Sequence, residues 1–353
     1  MKNRKANSPK QIVYLIGAGA TKAEADHRGG GRVDLLMKDL SPLILQKANT
    51  DRTLNLSEEP DIEKLISLLT TTGIEDYRNE ADKLRKAYYE VILNNLSKVG
   101  ILNNPELAIG LFEMHNNALF KSIEMLSGII SLNHDNLFQV AARKVHGYIN
   151  LGFSFDESMF KRGSTKTVPR IIQLHGSFNW LNSLPIKVVE LDPQNKYDKD
   201  MLWIPPSIIK ESKDYPYNKL MGLAYELLLR KCDILRIIGC SLSQNDWNII
   251  SLLFNAQYKQ VFHNKVCFKI QLIMPPEYCR KITEEISYLK NIIPIQHLTD
   301  GKFADYKKDK ADWVAEMNNP FKYWIKTKTK YHIYKKEFAI KNIGKTLENI
   351  IGV

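Results

Sequence analysis

The sequence predicts an α/β protein: a parallel β-sheet with helices on both faces and a helical insertion. Three observations lead to this fold class. Short, continuous apolar runs recur along the chain, segments of helical periodicity lie between them, and a long helical stretch separates the first run from the second. Continuous apolar runs are typical of strands buried on both faces, and their alternation with helices favours a parallel sheet.

The apolar runs are the predicted strands, and they occupy residues 12–16, 128–132, 170–174, 233–238 and 266–274. Residues 42–128 are predicted to form the helical insertion, because apolar residues such as Ile62, Ile66 and Leu69 keep the spacing of one helix face. Further helical patterns at 220–228 and 247–254 separate the later strands. Such βαβ units favour right-handed crossovers, and ligands of these sheets bind beyond the carboxyl ends of the strands.

The length and composition predict one core domain with an extension. The chain has 353 residues, of which 44% are hydrophobic and 25% charged, so it can bury a large core. Residues 1–275 are predicted to form the core domain, and residues 276–353 a basic extension that serves as an assembly or partner surface. No apolar stretch reaches the roughly 18 residues of a membrane span, and the N-terminus lacks the apolar segment of a signal peptide.

The cysteines and the charge narrow the function classes further. None of the four cysteines forms a C-x-x-C pair, so no zinc is expected, and we interpret them as reduced, buried thiols of a cytoplasmic protein. The net charge is +11, and residues 322–353 hold eight lysines but only two glutamates. This region is either a solvated or partner-binding face or a nucleic-acid contact, since basic surfaces attract phosphates.

A glycine turn directly follows the first predicted strand. The segment Gly17-Ala18-Gly19-Ala20-Thr21 allows the backbone to turn sharply and to approach a phosphate, and the amides of a following helix can bind a pyrophosphate. The third glycine of the G-x-G-x-x-G motif is absent, because residue 22 is Lys. An ordinary strand-to-helix turn therefore remains the alternative.

Three more loops bring polar residues to the same edge of the predicted sheet. Asn133 and Asp135 can hold a water, a ribose hydroxyl or a developing cation, or else cap a helix, whereas His134 is expected to point away and be structural. His175 follows a strand and can act as a general base or remain a structural histidine. Gly239 ends a strand and Ser241 can bond a ribose or phosphate, while residues 243–246 also fit a helix N-cap.

The order and spacing of these segments resemble a known superfamily. The series is Gly17-Ala18-Gly19-Ala20-Thr21, Asn133-x-Asp135, Leu174-His175-Gly176-Ser177-x-Asn179-Trp180 and Gly239-x-Ser241-Leu242. It resembles the sirtuin-like superfamily and, more narrowly, the bacterial sirtuin-like domains of antiphage defence systems, over residues 11–275. The His-Gly-Ser-x-Asn-Trp and Gly-x-Ser-Leu segments are the most specific part of the resemblance.

The resemblance implies a Rossmann-like NAD+ site with Asn133 and His175 as the catalytic pair. Asn133 would orient a water or a ribose hydroxyl, and His175 would accept a proton as the ribosyl oxocarbenium is captured. Asp135 would lie near the nicotinamide. The other implied NAD+-binding residues are Gly17, Ala18 and Gly19 at the pyrophosphate, Gly239 and Ser241 on the adenosine side, and Thr21.

Two departures from the sirtuin pattern shape the predicted activity. The chain lacks the zinc ribbon of the protein deacylases, and residues 26–32 replace the Pro-Asp-Phe-Arg stretch that usually follows the glycine turn. Without the ribbon, water becomes the expected acceptor. The prediction is an NAD+ glycohydrolase that releases nicotinamide and ADP-ribose in antiviral abortive infection and stays inactive until triggered.

The partners and the rival functions also follow from the resemblance. It implies a homo-oligomer that can work with a separately encoded HerA-type ATPase. One rival is an NAD-dependent protein deacylase or ADP-ribosyltransferase, which would need a peptide or protein acceptor. The other is a non-catalytic NAD+ or nucleotide sensor, or a DNA-binding subunit that uses the lysines after Lys322.

Overall fold

A computed structural model defines the fold. It describes residues 8–29, 33–49, 61–116, 118–156, 168–194, 197, 200–206, 215–242, 246–262, 268–274, 295–297 and 332–340.

The main sheet has seven strands in the order β10-β11-β9-β8-β1-β2-β4. Its strands are β1 (Lys10–Ile16), β2 (Glu124–Ser131), β4 (Arg170–Gln173), β8 (Ile234–Ile238), β9 (Lys269–Met274), β10 (Ile295–His297) and β11 (His332–Ile340). The five strands from β9 to β4 pair in parallel, and these are the five strands that the apolar runs predict. The parallel sheet of the predicted α/β fold is therefore confirmed, with β2 starting four residues earlier than the run at 128 indicates.

Nine helices are described within these residues. They are α1 (Ala18–Gly29), α2 (Met37–Ala48), α3 (Ile62–Thr71), α4 (Glu75–Lys98), α5 (Glu106–Asn116), α6 (Ala118–Ile123), α7 (Leu137–His146), α8 (Tyr217–Lys231) and α9 (Trp247–Phe262). None of the helices in the described part of the chain is both long and apolar enough to cross a membrane.

Helices cover both faces of the sheet. The Tyr14 hydroxyl lies 2.6 Å from His115 Nε2 of α5, so this residue of β1 faces α5. Val13, its neighbour, points to the opposite face and pairs with Gly128, where an added Cβ would lie 2.7 Å from Leu227 of α8. The sheet therefore lies between α5 on one face and α8 on the other.

The predicted insertion divides between two hydrophobic cores. Helices α2, α3 and α4 form a core of their own, whereas α5 packs into the core of the main sheet. The second core also includes Phe178 and Trp203, which lie in a smaller sheet that the sequence patterns do not predict. That sheet has the order β3-β6-β5-β7, with β3 (Phe155–Asp156), β5 (Gly176–Leu181), β6 (Ile186–Val188) and β7 (Met201–Trp203).

The C-terminal region contributes strands to the edge of the main sheet. Strand β11 pairs antiparallel with both β9 and β10, so residues assigned to the extension continue the core sheet. The lysines between 322 and 330 lie outside the described residues, and the role of this region as a partner surface stays a prediction.

Candidate active site at the carboxyl edge of the sheet

Four loops meet where β8, β1, β2 and β4 end, as the sequence predicts for one edge of a parallel sheet. The first residues of each loop continue the backbone hydrogen bonds of the sheet to the neighbouring strand. The amide of Gly17 donates to the Ile238 carbonyl at 3.0 Å, that of Leu132 to Ile16 at 2.9 Å, and that of Leu174 to Ser131 at 2.9 Å. The backbone therefore brings the glycine turn, the Asn133–Asp135 loop, His175 and Gly239 to the same edge.

Asn133, Thr21 and Asp135 form a hydrogen-bonded relay. Asn133 Nδ2 donates to Thr21 Oγ1 at 2.8 Å and to the Gly17 carbonyl at 3.1 Å. The Thr21 hydroxyl donates in turn to Asp135 Oδ2 at 2.8 Å. All three side chains are buried. The relay joins α1 to the loop after β2, and it fixes the orientation of the Asn133 amide.

The Asp135 carboxyl group has an unusual electrostatic environment. Its burial raises the pKa of Asp135, because a charged carboxylate loses its hydration there. Hydrogen bonds from the Thr21 hydroxyl and from the Leu137 amide, which lies 3.1 Å from Oδ1, act in the opposite direction. Buried groups with a perturbed pKa are frequent at functional sites, although structural networks perturb the pKa as well.

His175 is held in one tautomer. Its Nδ1 lies 3.1 Å from the Leu132 carbonyl, which can only accept, so Nδ1 carries the proton. In the neutral ring Nε2 is then the basic nitrogen, and it lies 4.0 Å from Asp246 Oδ1. The side chains of His175 and Asp246 are 10% and 12% exposed, so this contact is mostly removed from solvent. The ring thus presents a proton acceptor next to a carboxylate.

His134 belongs to the packing rather than to the polar relay. Its Nε2 lies 2.9 Å from the Ile204 carbonyl and must donate, so Nδ1 accepts from the Tyr88 hydroxyl at 3.1 Å. Its ring also packs against Phe178 and Trp203, with ring centroids 5.3 and 5.1 Å away. This arrangement agrees with the expectation that His134 is structural.

The glycine turn has a packing role that needs no ligand. An added Cβ on Gly17 would lie 2.7 Å from the Gly239 carbonyl oxygen, and one on Gly19 would lie 2.8 Å from it. Gly239 itself has a φ of +55°, and its Cβ would lie 2.2 Å from the Ala20 amide nitrogen. The Gly19 amide donates to Gly239 at 2.8 Å, so this amide and that of Gly17 bond protein carbonyls. Close contact between two loops thus explains these glycines.

Ala18 and Ser241 are the predicted binding residues that are exposed at this edge. Ala18 is the first residue of α1, where the N–H has no partner within the helix. A helix N-terminus in this position attracts anions. Ser241 follows the buried Cys240 and is exposed beyond the end of β8. Both residues are therefore accessible from solvent.

A buried amide network that the sequence patterns do not predict supports the two catalytic candidates. Gln173 donates from Nε2 to the carbonyls of Asn133 and Asp135, at 3.2 and 2.9 Å. Gln139 bonds Gln173 Oε1, and Asn179 Nδ2 donates to Gln139 Oε1 at 2.8 Å. The network ties the Asn133 loop to the strand that leads to His175. In the sequence, a polar Gln173 within the apolar run 170–174 was the signal that could have indicated this network.

A second polar cluster lies away from this edge, within the main sheet. Arg236 binds Glu124 through two hydrogen bonds of 2.8 Å, and it also donates to the Tyr14 hydroxyl. Burial, together with the charge of Arg236, lowers the pKa of His115 to about 3. The neutral His115 ring accepts from Tyr14, so the cluster links β1, β2, β8 and α5.

The cysteines and metal ligands give no site in the described residues. Cys232 and Cys240 are buried and form no disulfide with a described residue, whereas Cys267 and Cys279 lie outside the described residues. No group of three or more His, Cys, Asp or Glu side chains suited to a metal occurs in the part of the chain that is described.

An open groove of about 440 Å³ between α8 and α9 is lined by residues such as Tyr225, Ser251 and Lys259, and it includes none of the predicted site residues.

No protein-family model matches the chain, and no curated protein matches it either. The chemistry of the site and the sequence motifs therefore carry the functional proposal.

Proposed function

We propose that this protein is an NAD+ glycohydrolase that cleaves NAD+ to nicotinamide and ADP-ribose. The observation that carries the proposal is the pairing, at one sheet edge, of a fixed Asn133 amide with a His175 ring whose Nε2 is the basic nitrogen. The resemblance of the same segments to sirtuin-like domains supports NAD+ as the substrate. The exposed first residue of α1, Ala18, supports an anion-binding role for that helix N-terminus.

The proposed reaction assigns a defined task to each side chain. The bond between the ribose C1′ and the nicotinamide nitrogen breaks, and nicotinamide leaves with the bonding electron pair. A water oxygen bonds to C1′, and His175 Nε2 accepts the proton that this water loses. Asn133, whose amide is held by Thr21 and Gly17, orients the water or a ribose hydroxyl through its carbonyl oxygen. Asp135 lies near the nicotinamide in this arrangement.

The biological role that we propose is antiviral abortive infection in the cytoplasm. Continuous NAD+ loss would kill the cell, so the enzyme stays inactive until a signal or a partner arrives. Self-assembly and a HerA-type ATPase partner are the components that the resemblance suggests. The helical core of α2, α3 and α4 and residues 276–353 are the surfaces that we assign to assembly.

The test measures nicotinamide and ADP-ribose released from NAD+ by the assembled full chain, without any peptide acceptor. We expect equal amounts of both products, and loss of both in Asn133→Ala and His175→Ala. Matched controls are Asn116→Ala, at the exposed end of α5, and His27→Ala, on α1, and these should retain the wild-type rate. Release that needs an added protein or peptide would indicate a deacylase or a transferase, and equal turnover by the two site variants would refute the assignment.

A non-catalytic NAD+ or nucleotide sensor is the second candidate. The observation that favours it is the closure of the site, because Asn133 and the amides of Gly17 and Gly19 already bond protein groups. A sensor would bind NAD+ in calorimetry and release no nicotinamide under any activating condition.

A further inference from the structure

We propose that Asp246 is a positioning residue that holds His175 in its imidazolium form when the ring has accepted a proton. This inference rests on the proposed function, because it assigns the charge state of the general base in that reaction. Asp246 directly precedes α9, and neither the motifs nor the resemblance gives it a role beyond a helix cap. Its Oδ1 lies 4.0 Å from His175 Nε2.

The carboxylate of Asp246 lies beside Nε2, which is the nitrogen of His175 that takes up the proton. Leu132 fixes the proton of the neutral ring on Nδ1, so protonation adds a proton to Nε2, on the side of Asp246. At 4.0 Å the contact is an ion pair once the ring is charged. The side chains are only 10% and 12% exposed, so solvent screens this attraction less than it screens a surface pair.

Within the described part of the chain, the titratable groups on the neighbouring loop after β2 do not take over this task. His134, from the loop after β2, packs with its ring centroid 6.0 Å from that of His175. Both of its nitrogens are engaged, by the Ile204 carbonyl and the Tyr88 hydroxyl, so it offers no carboxylate to the His175 ring. Asp135, from the same loop, directs its carboxylate at Thr21 and at the Leu137 amide. Among the described residues, Asp246 at the start of α9 is thus the carboxylate that faces Nε2.

The charge pairing has a consequence for the reaction. The carboxylate stabilises the imidazolium, so it favours transfer of the water proton to Nε2 when the new bond to C1′ forms. It also keeps a larger fraction of His175 protonated at a given pH. A protonated ring cannot act as a base. The acidic limb of the pH profile of nicotinamide release should therefore reflect the protonation of His175 beside Asp246.

The experiment compares wild type with Asp246→Asn in the full chain. Asn has nearly the shape of Asp, so the substitution removes the charge and keeps a polar side chain of the same size. The readout is the pH midpoint of the His175 ring protons in NMR, with the signal assigned among the eight histidines by its loss in His175→Gln. We expect the midpoint to fall by about one pH unit. Asp246→Ser, which also removes the charge, should do the same, and Asp76→Asn, an exposed change of equal charge, should not.

Each outcome decides one of the two proposals. An unchanged or higher midpoint in Asp246→Asn overturns the role of Asp246, even if the enzyme cleaves NAD+. A lower midpoint supports it, and the acidic limb of nicotinamide release should then move to lower pH by the same amount. A lower midpoint in a protein that releases no nicotinamide under any condition leaves the pairing intact and refutes the glycohydrolase.

Discussion

Thr21 connects the two buried polar groups that flank it, Asn133 and Asp135. Its hydroxyl accepts from one and donates to the other, each at 2.8 Å. Thr21→Val keeps the shape and removes both bonds, which leaves buried groups unsatisfied. We expect the free energy of unfolding to fall by about 1–3 kcal/mol, as measured by urea denaturation.

The control for this prediction is Thr21→Ser, which keeps the hydroxyl and should retain most of the stability. Equal stability of the Val variant and the wild type would show that the relay does not hold the Asn133 loop. Nicotinamide release should fall in the Val variant as well, because the Asn133 amide loses one of its two fixing contacts.

Glu24 gives a pH dependence that is separate from the site. Its carboxylate accepts from the amides of Leu107 and Ala108 at the start of α5, and burial raises the pKa of Glu24 to about 7. The folded pKa lies above the value of 4.5 that is usual for Glu. The resulting stability is therefore complete below that usual value and is lost as the pH rises through about 7.

The prediction is tested with unfolding free energies of wild type and Glu24→Gln between pH 5 and pH 8. The wild type should lose stability with rising pH relative to the variant, because Gln does not titrate. Gln has a single acceptor oxygen, so the variant should be less stable at low pH. A constant difference between the two proteins across this range would contradict the raised pKa.

The sequence predicted the positions of site residues correctly where the order of the strands alone determines them. Asn133 and His175 follow predicted strands, so the parallel sheet brings their loops to one edge. Asp246 and Gln173 could not be predicted as site neighbours, because their contacts depend on side-chain directions across different elements. The hydrogen bonds from the Gly17 and Gly19 amides to Ile238 and Gly239 also depend on loop packing, which local sequence does not determine.

At the scale of elements, the contact between the glycine turn and the end of β8 is the critical one. Gly239→Ala would place a Cβ 2.2 Å from the Ala20 nitrogen, at a φ of +55° that disfavours side chains. We expect a loss of at least about 1–2 kcal/mol, measured as a lower thermal midpoint. Gly222→Ala, in an open position of α8, is the control and should raise stability by about 0.5–1 kcal/mol. Similar effects of both substitutions would refute the packing role.

The elements of the main sheet were predictable and those of the second sheet were not. Long apolar runs are strong signals, and all five became parallel strands. Strands β3, β6 and β7 have only two or three residues each, which is too short for a periodic pattern. The apolar periodicity of residues 42–128 predicts helices, but it does not show which core each helix joins. Helix α5 therefore falls within the predicted insertion, although tertiary contacts place it in the core of the main sheet.

At the scale of the whole molecule, the helical core contacts the candidate site through Tyr88 of α4. Its hydroxyl donates to His134 at 3.1 Å, and its ring lies 5.7 Å from that of Trp203 in a stacked arrangement. Tyr88→Phe keeps the ring packing and removes the donor to a buried imidazole. We expect a loss of about 1–3 kcal/mol of unfolding free energy, while Tyr77→Phe, at an exposed position of α4, should have no effect. Unchanged stability of the Tyr88 variant would show that this bond does not stabilise the loop after β2.

The central claim is that this chain consumes NAD+ through Asn133 and His175. The most direct measurement is the NAD+ content of bacteria that carry the wild-type gene, followed through phage challenge alongside Asn133→Ala and His175→Ala. We expect a collapse of cellular NAD+ with matching nicotinamide and ADP-ribose in the wild type, and stable NAD+ in both variants at equal protein levels. Stable NAD+ in the wild type across the phages tested, or an equal collapse in the variants, would contradict it.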